Sequence, residues 1–236
     1  MKRLAFLGLA LLAACGPMEQ EAAQRLAAPA FMLRHEIQAG PYTLTAYERE
    51  RRADTTATVY IEGSTTARNP VALHLAAMEP TVGSVVWLSS LPEGAGPAHA
   101  VYSAALDDLV RRYGFAGFEV VGYGTSAAVA AQLAAQRTDV VTLRTVAGAL
   151  DAPEALTAAR TLSRMPQQHF IGGQDATEPP AALHFYLQAL GPTPCVRHAL
   201  VPEATHEAGW VERWPALLAQ APTCAGGGAG PRPGGV

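Results

Sequence analysis

Between residues 40 and 220, short runs rich in β-branched and aromatic residues alternate with longer helical stretches, and that alternation constrains the fold more than any other feature of the chain. The runs are Tyr42 to Tyr47, Thr58 to Ile61, Val85 to Leu88, Glu119 to Val121, Val140 to Val146, His169 to Ile171 and Val196 to Val201. Helical signals fall between them, at Pro70 to Met78, His99 to Tyr113, Thr125 to Gln136, Ala152 to Ser163, Pro180 to Leu190 and Glu207 to Gln220. Strands linked through helices pair in parallel and are covered on both sides, so the expected class is α/β: a mostly parallel sheet with helices on both faces. Asn69-Pro70 reads as a helix start, with Asn as the cap and Pro at the first helical position.

One strand-to-helix junction carries chemistry as well as topology. Glu119-Val-Val-Gly-Tyr-Gly-Thr-Ser-Ala-Ala128 has the shape of the G-x-S-x-G turn that presents a nucleophilic serine above a sheet, with Gly124 where the serine would stand. Glycine has no side chain with which to attack a carbonyl. Such turns hold the nucleophile in positive-φ backbone, which costs a residue with a side chain about 1–3 kcal/mol and which glycine enters freely. Ser126 lies two residues further on, in the first turn of the helix. There its hydroxyl would cap the helix or face the strand, and it is the weaker nucleophile candidate.

The turn is one of five matches in order. Val59-Tyr-Ile-Glu-Gly63 with Arg68-Asn-Pro-Val-Ala-Leu73, Val120 through Arg137, Val146-Ala-Gly-Ala-Leu-Asp151, Phe170-Ile-Gly-Gly-Gln-Asp175 and Pro202-Glu-Ala-Thr-His-Glu-Ala-Gly-Trp210 resemble segments of the α/β-hydrolases, particularly proteobacterial lipoprotein hydrolases. The resemblance implies an α/β-hydrolase-like sheet with a reduced cap. It assigns Asp175 as the acid that orients a histidine and His206 as the general base, in the order nucleophile, acid, histidine. Asp151 is a second acid candidate. The alternatives are a helix-capping Asp175 near Glu178 and a His206 held in its loop by neighbours. The oxyanion-hole positions implied are the Thr125 amide and the Gly63-Ser64 loop, where Ser64 replaces a usual glycine. Loops after Trp87 and between Asp151 and Arg164 are shorter than in the family. His74 and His99 read as structural.

The N-terminus reads as an export signal. Met1-Lys2-Arg3 is followed by an apolar Leu4 to Leu12 and by Leu12-Ala-Ala-Cys15, which resembles a bacterial lipoprotein signal and implies cleavage before a lipid-bearing Cys15. The expected division is a signal at 1–14, lipidated cysteine and tether at 15–35, the hydrolase-like domain at 36–224, and a disordered Gly/Pro tail at 225–236. The expected location is the cell envelope, facing the periplasm, on the outer membrane. Export would place Cys195 and Cys224 in an oxidising compartment, where they either pair or remain buried thiols.

Without residues 1–14 the basic count falls from 17 to 15 against 20 acidic residues, a net charge of −5. Phosphate binding needs clustered Lys and Arg, so nucleic acid is not an expected partner. No H-E-x-x-H occurs, and neither a metal nor a cofactor is expected. The sequence points to a catalytically dead or severely weakened hydrolase relative that binds a small ligand or a partner protein. The alternatives are an active serine esterase or peptidase using Ser126, and a structural envelope protein without a pocket.

Overall fold

The computed structural model describes residues 15–51, 56–63, 69–92 and 94–224, with side chains from residue 21 on. The signal segment, Ser64 of the oxyanion-type loop and the Gly/Pro tail lie outside the described residues. Eight strands form one sheet: β1 (Leu33–Ala39), β2 (Tyr42–Arg49), β3 (Thr56–Ile61), β4 (Val85–Leu88), β5 (Gly117–Tyr123), β6 (Val140–Val146), β7 (Gln167–Gly172) and β8 (Val196–Val201). Their order is β1-β2-β4-β3-β5-β6-β7-β8. β2 pairs antiparallel with β1 and β4, and every other pairing is parallel.

Seven helices accompany the described strands: α1 (Cys15–Ala27), α2 (Val71–Ala77), α3 (Ala98–Tyr113), α4 (Ser126–Gln136), α5 (Pro153–Ala159), α6 (Ala181–Leu190) and α7 (Trp214–Leu218). They divide the core in two. One layer packs α3 to α6 on the sheet through Leu106, Leu109, Leu133 and Leu183; the other packs α1, α2 and α7 through Ala27, Leu75 and Trp214. The central strands β4 to β6 are buried along most of their length, because helices cover both faces, whereas the edge strand β1 is largely exposed. α4 is alanine-rich, and its short side chains let it lie close against β5 and β6.

Three local expectations differ from the structure. Within residues 15–35, expected as a lipidated cysteine and tether, Cys15–Ala27 form the helix α1, and Ala23 and Ala27, one turn apart, are buried against the body. At the start of α2 the cap is Pro70, without a side-chain cap bond, while Asn69 Nδ2 donates to Glu207 Oε2 at 3.3 Å. The single helix expected over Glu207 to Gln220 is a short 3-10 turn, Val211–Arg213, followed by the five-residue α7, whose start carries Pro215. Cys195 and Cys224 form a disulfide that ties the residue before β8 to the chain beyond α7.

Candidate functional site

The site is built at the carboxyl ends of β5, β7 and β8. β5 runs into α4 through Gly124, whose φ of +56° lies in the left-handed region. The turn is fixed on both sides: Gly124 N–H donates to Val146 O at 3.0 Å, and Gly124 O accepts from Ala127 N–H at 3.1 Å and Ala149 N–H at 3.0 Å. A Cβ built on Gly124 would stand 3.4 Å from His206 Nε2 and 3.6 Å from His206 Cε1. A side chain at position 124 would therefore point at the imidazole without clashing.

His206 follows β8, and three groups position it. Its Nδ1 lies 3.0 Å from Asp175 Oδ2, whose carboxyl is buried. Its backbone carbonyl accepts from Tyr123 Oη at 2.6 Å and from Trp210 Nε1 at 3.2 Å, and its ring centroid is 5.4 Å from that of Tyr123. With Nδ1 facing a carboxylate, Nε2 is directed at the turn. Asp175 is itself held by two amides: its Oδ1 accepts from Thr177 N–H at 2.9 Å and Glu178 N–H at 2.8 Å. One carboxylate thus serves both readings open in the sequence, closing the turn before α6 through one oxygen and facing the histidine through the other. Asp151 is exposed and makes no bond to His206.

Ser126 is buried, and its hydroxyl donates to the Glu62 carbonyl at 2.7 Å. Gly63 packs tightly over the turn. A Cβ there would fall well inside contact distance of the Tyr123 carbonyl oxygen and 3.2 Å from the Thr125 nitrogen. Gly63 and Thr125 therefore adjoin beside Gly124, whereas Ser64 lies outside the described residues. Sequence reasoning missed Glu62, a buried carboxylate whose Oε2 accepts from Trp87 Nε1 at 3.0 Å and whose Oε1 accepts from Ala72 N–H at 3.4 Å. It also missed Tyr123, the residue inside the glycine pair that fastens the His206 loop. Burial, with Glu62 nearby, pushes the Tyr123 hydroxyl well above its ordinary pKa, so it stays a donor. Among the described residues no group of His, Cys, Asp and Glu could hold a metal ion.

No protein-family model and no curated protein sequence matches the chain. Solved structures do. An alpha-beta serine hydrolase homologue from Coxiella burnetii superposes with a TM-score of 0.64 at 15% identity, over 78% of this chain and 93% of that one. Est1E from Butyrivibrio proteoclasticus gives 0.66 at 12% identity, over 78% and 95%. A membrane phospholipase A described as a bacterial virulence factor gives 0.61 at 14%, over 92% and 98%. The strand order, the antiparallel second strand and these superpositions define the fold as that of the α/β-hydrolases.

Proposed function

We propose that this protein is an α/β-hydrolase-fold protein that has lost its nucleophile, anchored to the bacterial envelope through lipid on Cys15, and that it binds a small ligand or partner protein at the Gly124 face instead of hydrolysing esters. The observation that carries the reading is the geometry around Gly124. An aligned acid and imidazole face a position that has neither hydroxyl nor thiol to activate. Loss of a triad serine costs about a million-fold in turnover and leaves about a thousand-fold over water from binding and amide donors. The Ser126 alternative is disfavoured because its proton is committed to Glu62 O.

The test is covalent labelling by a fluorophosphonate. Wild type is expected to remain unlabelled, whereas Gly124→Ser, which sets a hydroxymethyl group beside His206 Nε2, is expected to label and to gain measurable ester hydrolysis. Labelling of wild type that disappears in Ser126→Ala would overturn the reading and make the protein a working hydrolase.

A further inference from the structure

The Gly124 face lacks a side chain at one defined place, and the groups around that place select what can enter it. Apart from its neighbours in the chain, the described groups within 4 Å of a Cβ on Gly124 are Nε2 and Cε1 of His206. Neither side of the place is free to close it. The turn is held by the bonds of Gly124 to Val146, Ala127 and Ala149, and the imidazole by Tyr123 and Trp210 on its carbonyl and Asp175 on Nδ1. A carboxylate only accepts, so the Nδ1 that faces it is the donor and Nε2 meets the place as an acceptor. Thr125 is exposed and the His206 side chain is 18% exposed, so solvent molecules reach both walls. Charge narrows the choice further. Burial first, and Asp151 second, raise the pKa of the Glu178 carboxyl; Asp175 adds to the rise and His206 alone opposes it. Glu207, which accepts from Asn69 Nδ2, joins Asp175 beside Tyr123.

We infer that the ligand of this site is a neutral molecule with a terminal hydroxymethyl group, whose hydroxyl donates to His206 Nε2 in the space left by the missing side chain at position 124. The inference rests on the reading of the Gly124 face as a binding site. An anionic ligand would be repelled by Asp151, Asp175, Glu178 and Glu207. An ammonium brings three donors to a place with one side-chain acceptor, because Asp175 and Glu207 are engaged elsewhere, and its other N–H groups would give up water without replacement. A hydroxyl brings one donor and matches the one acceptor. Its oxygen rests against the glycine Cα at contact distance while its carbon points outward past Thr125. The bound ligand thus supplies, from outside, the hydroxyl that the chain itself lacks beside the imidazole.

The experiment compares ethanol, ethylammonium and acetate, probes of similar size that are neutral, cationic and anionic. Each is titrated at constant ionic strength and mildly alkaline pH into the full chain in a neutral detergent. The His206 ring signals, assigned by their loss in His206→Gln, are followed by NMR. Ethanol is expected to shift them saturably, with both ions weaker by about ten-fold. Gly124→Ala, whose methyl group occupies the approach to Nε2, should weaken ethanol by a similar factor, and so should Gly124→Ser, which supplies its own hydroxyl. The comparison of probes is made on wild type and needs no variant to fold. Absence of a saturable ethanol shift, binding of either ion as tight as that of ethanol, or an ethanol response unchanged in both Gly124 variants would each overturn the inference. Fluorophosphonate labelling of wild type would instead overturn the reading beneath it, a separate and recognisable failure.

Discussion

At the scale of single residues, the backbone at Gly124 makes a stability claim beside the chemical one. At φ +56° any residue with a Cβ is strained, so Gly124→Ser and Gly124→Ala should each lower stability by about 1–3 kcal/mol, measured as a shift in urea midpoint. Unchanged midpoints would mean that the turn relaxes out of the left-handed region. His169 makes a second claim. It is fully buried on β7, its Nδ1 is 2.8 Å from Thr145 Oγ1, and its Nε2 has no partner among the described residues. Burial first, and His198 second, lower its pKa from 6.5 to about 3. Because the folded value lies below the unfolded one, the unfolded chain takes up the proton first as pH falls. The neutral imidazole's contribution is therefore complete above about pH 6.5 and is lost on the way to pH 3, by up to about 1.4 kcal/mol per pH unit. Wild type should lose more stability than His169→Gln between pH 7 and pH 5 in urea titrations; parallel losses would refute the assignment.

At the scale of elements, the interior strands and the edge strand β8 were legible, whereas the edge strand β1 was not. Val85–Leu88 and Val140–Val146 are apolar runs whose burial on both faces matches their composition, and the structure keeps the expected bounds. β1, Leu33-Arg-His-Glu-Ile-Gln-Ala39, mixes charge with apolar residues and gives little strand signal alone. It is a strand because Gly40, at φ +63°, turns the chain and brings Leu33 through Ala39 opposite Glu48 through Tyr42. α1 was missed for the converse reason: its Ala and Gln content fits a tether or a helix equally, and burial of Ala23 and Ala27 decides between them. The weakly helical end after β8 is held covalently. The Cys195–Cys224 bond closes a segment of 29 residues, worth roughly 3–4 kcal/mol in the chain-entropy model. Reduction, or Cys224→Ser, should lower the unfolding free energy by about that amount, while an unchanged melting curve would mean that the bond adds nothing.

At the scale of the whole molecule, the anchor reading predicts that Cys15→Ser loses fatty-acid incorporation during growth with labelled palmitate; retained incorporation would refute it. The sequence alone determined the α/β class, since strand and helix periodicities are local properties, and it marked Gly124 as a turn residue that cannot attack a carbonyl. The resemblance named Asp175 and His206 as its partners, but how these groups meet was decided only in three dimensions. Asp175 and His206 are 31 residues apart and meet because β7 and β8 are neighbours, and the Ser126 hydroxyl turns to Glu62 because β3 lies beside β5. Periodicity records what one segment buries, whereas sites and surfaces arise where distant segments are brought side by side.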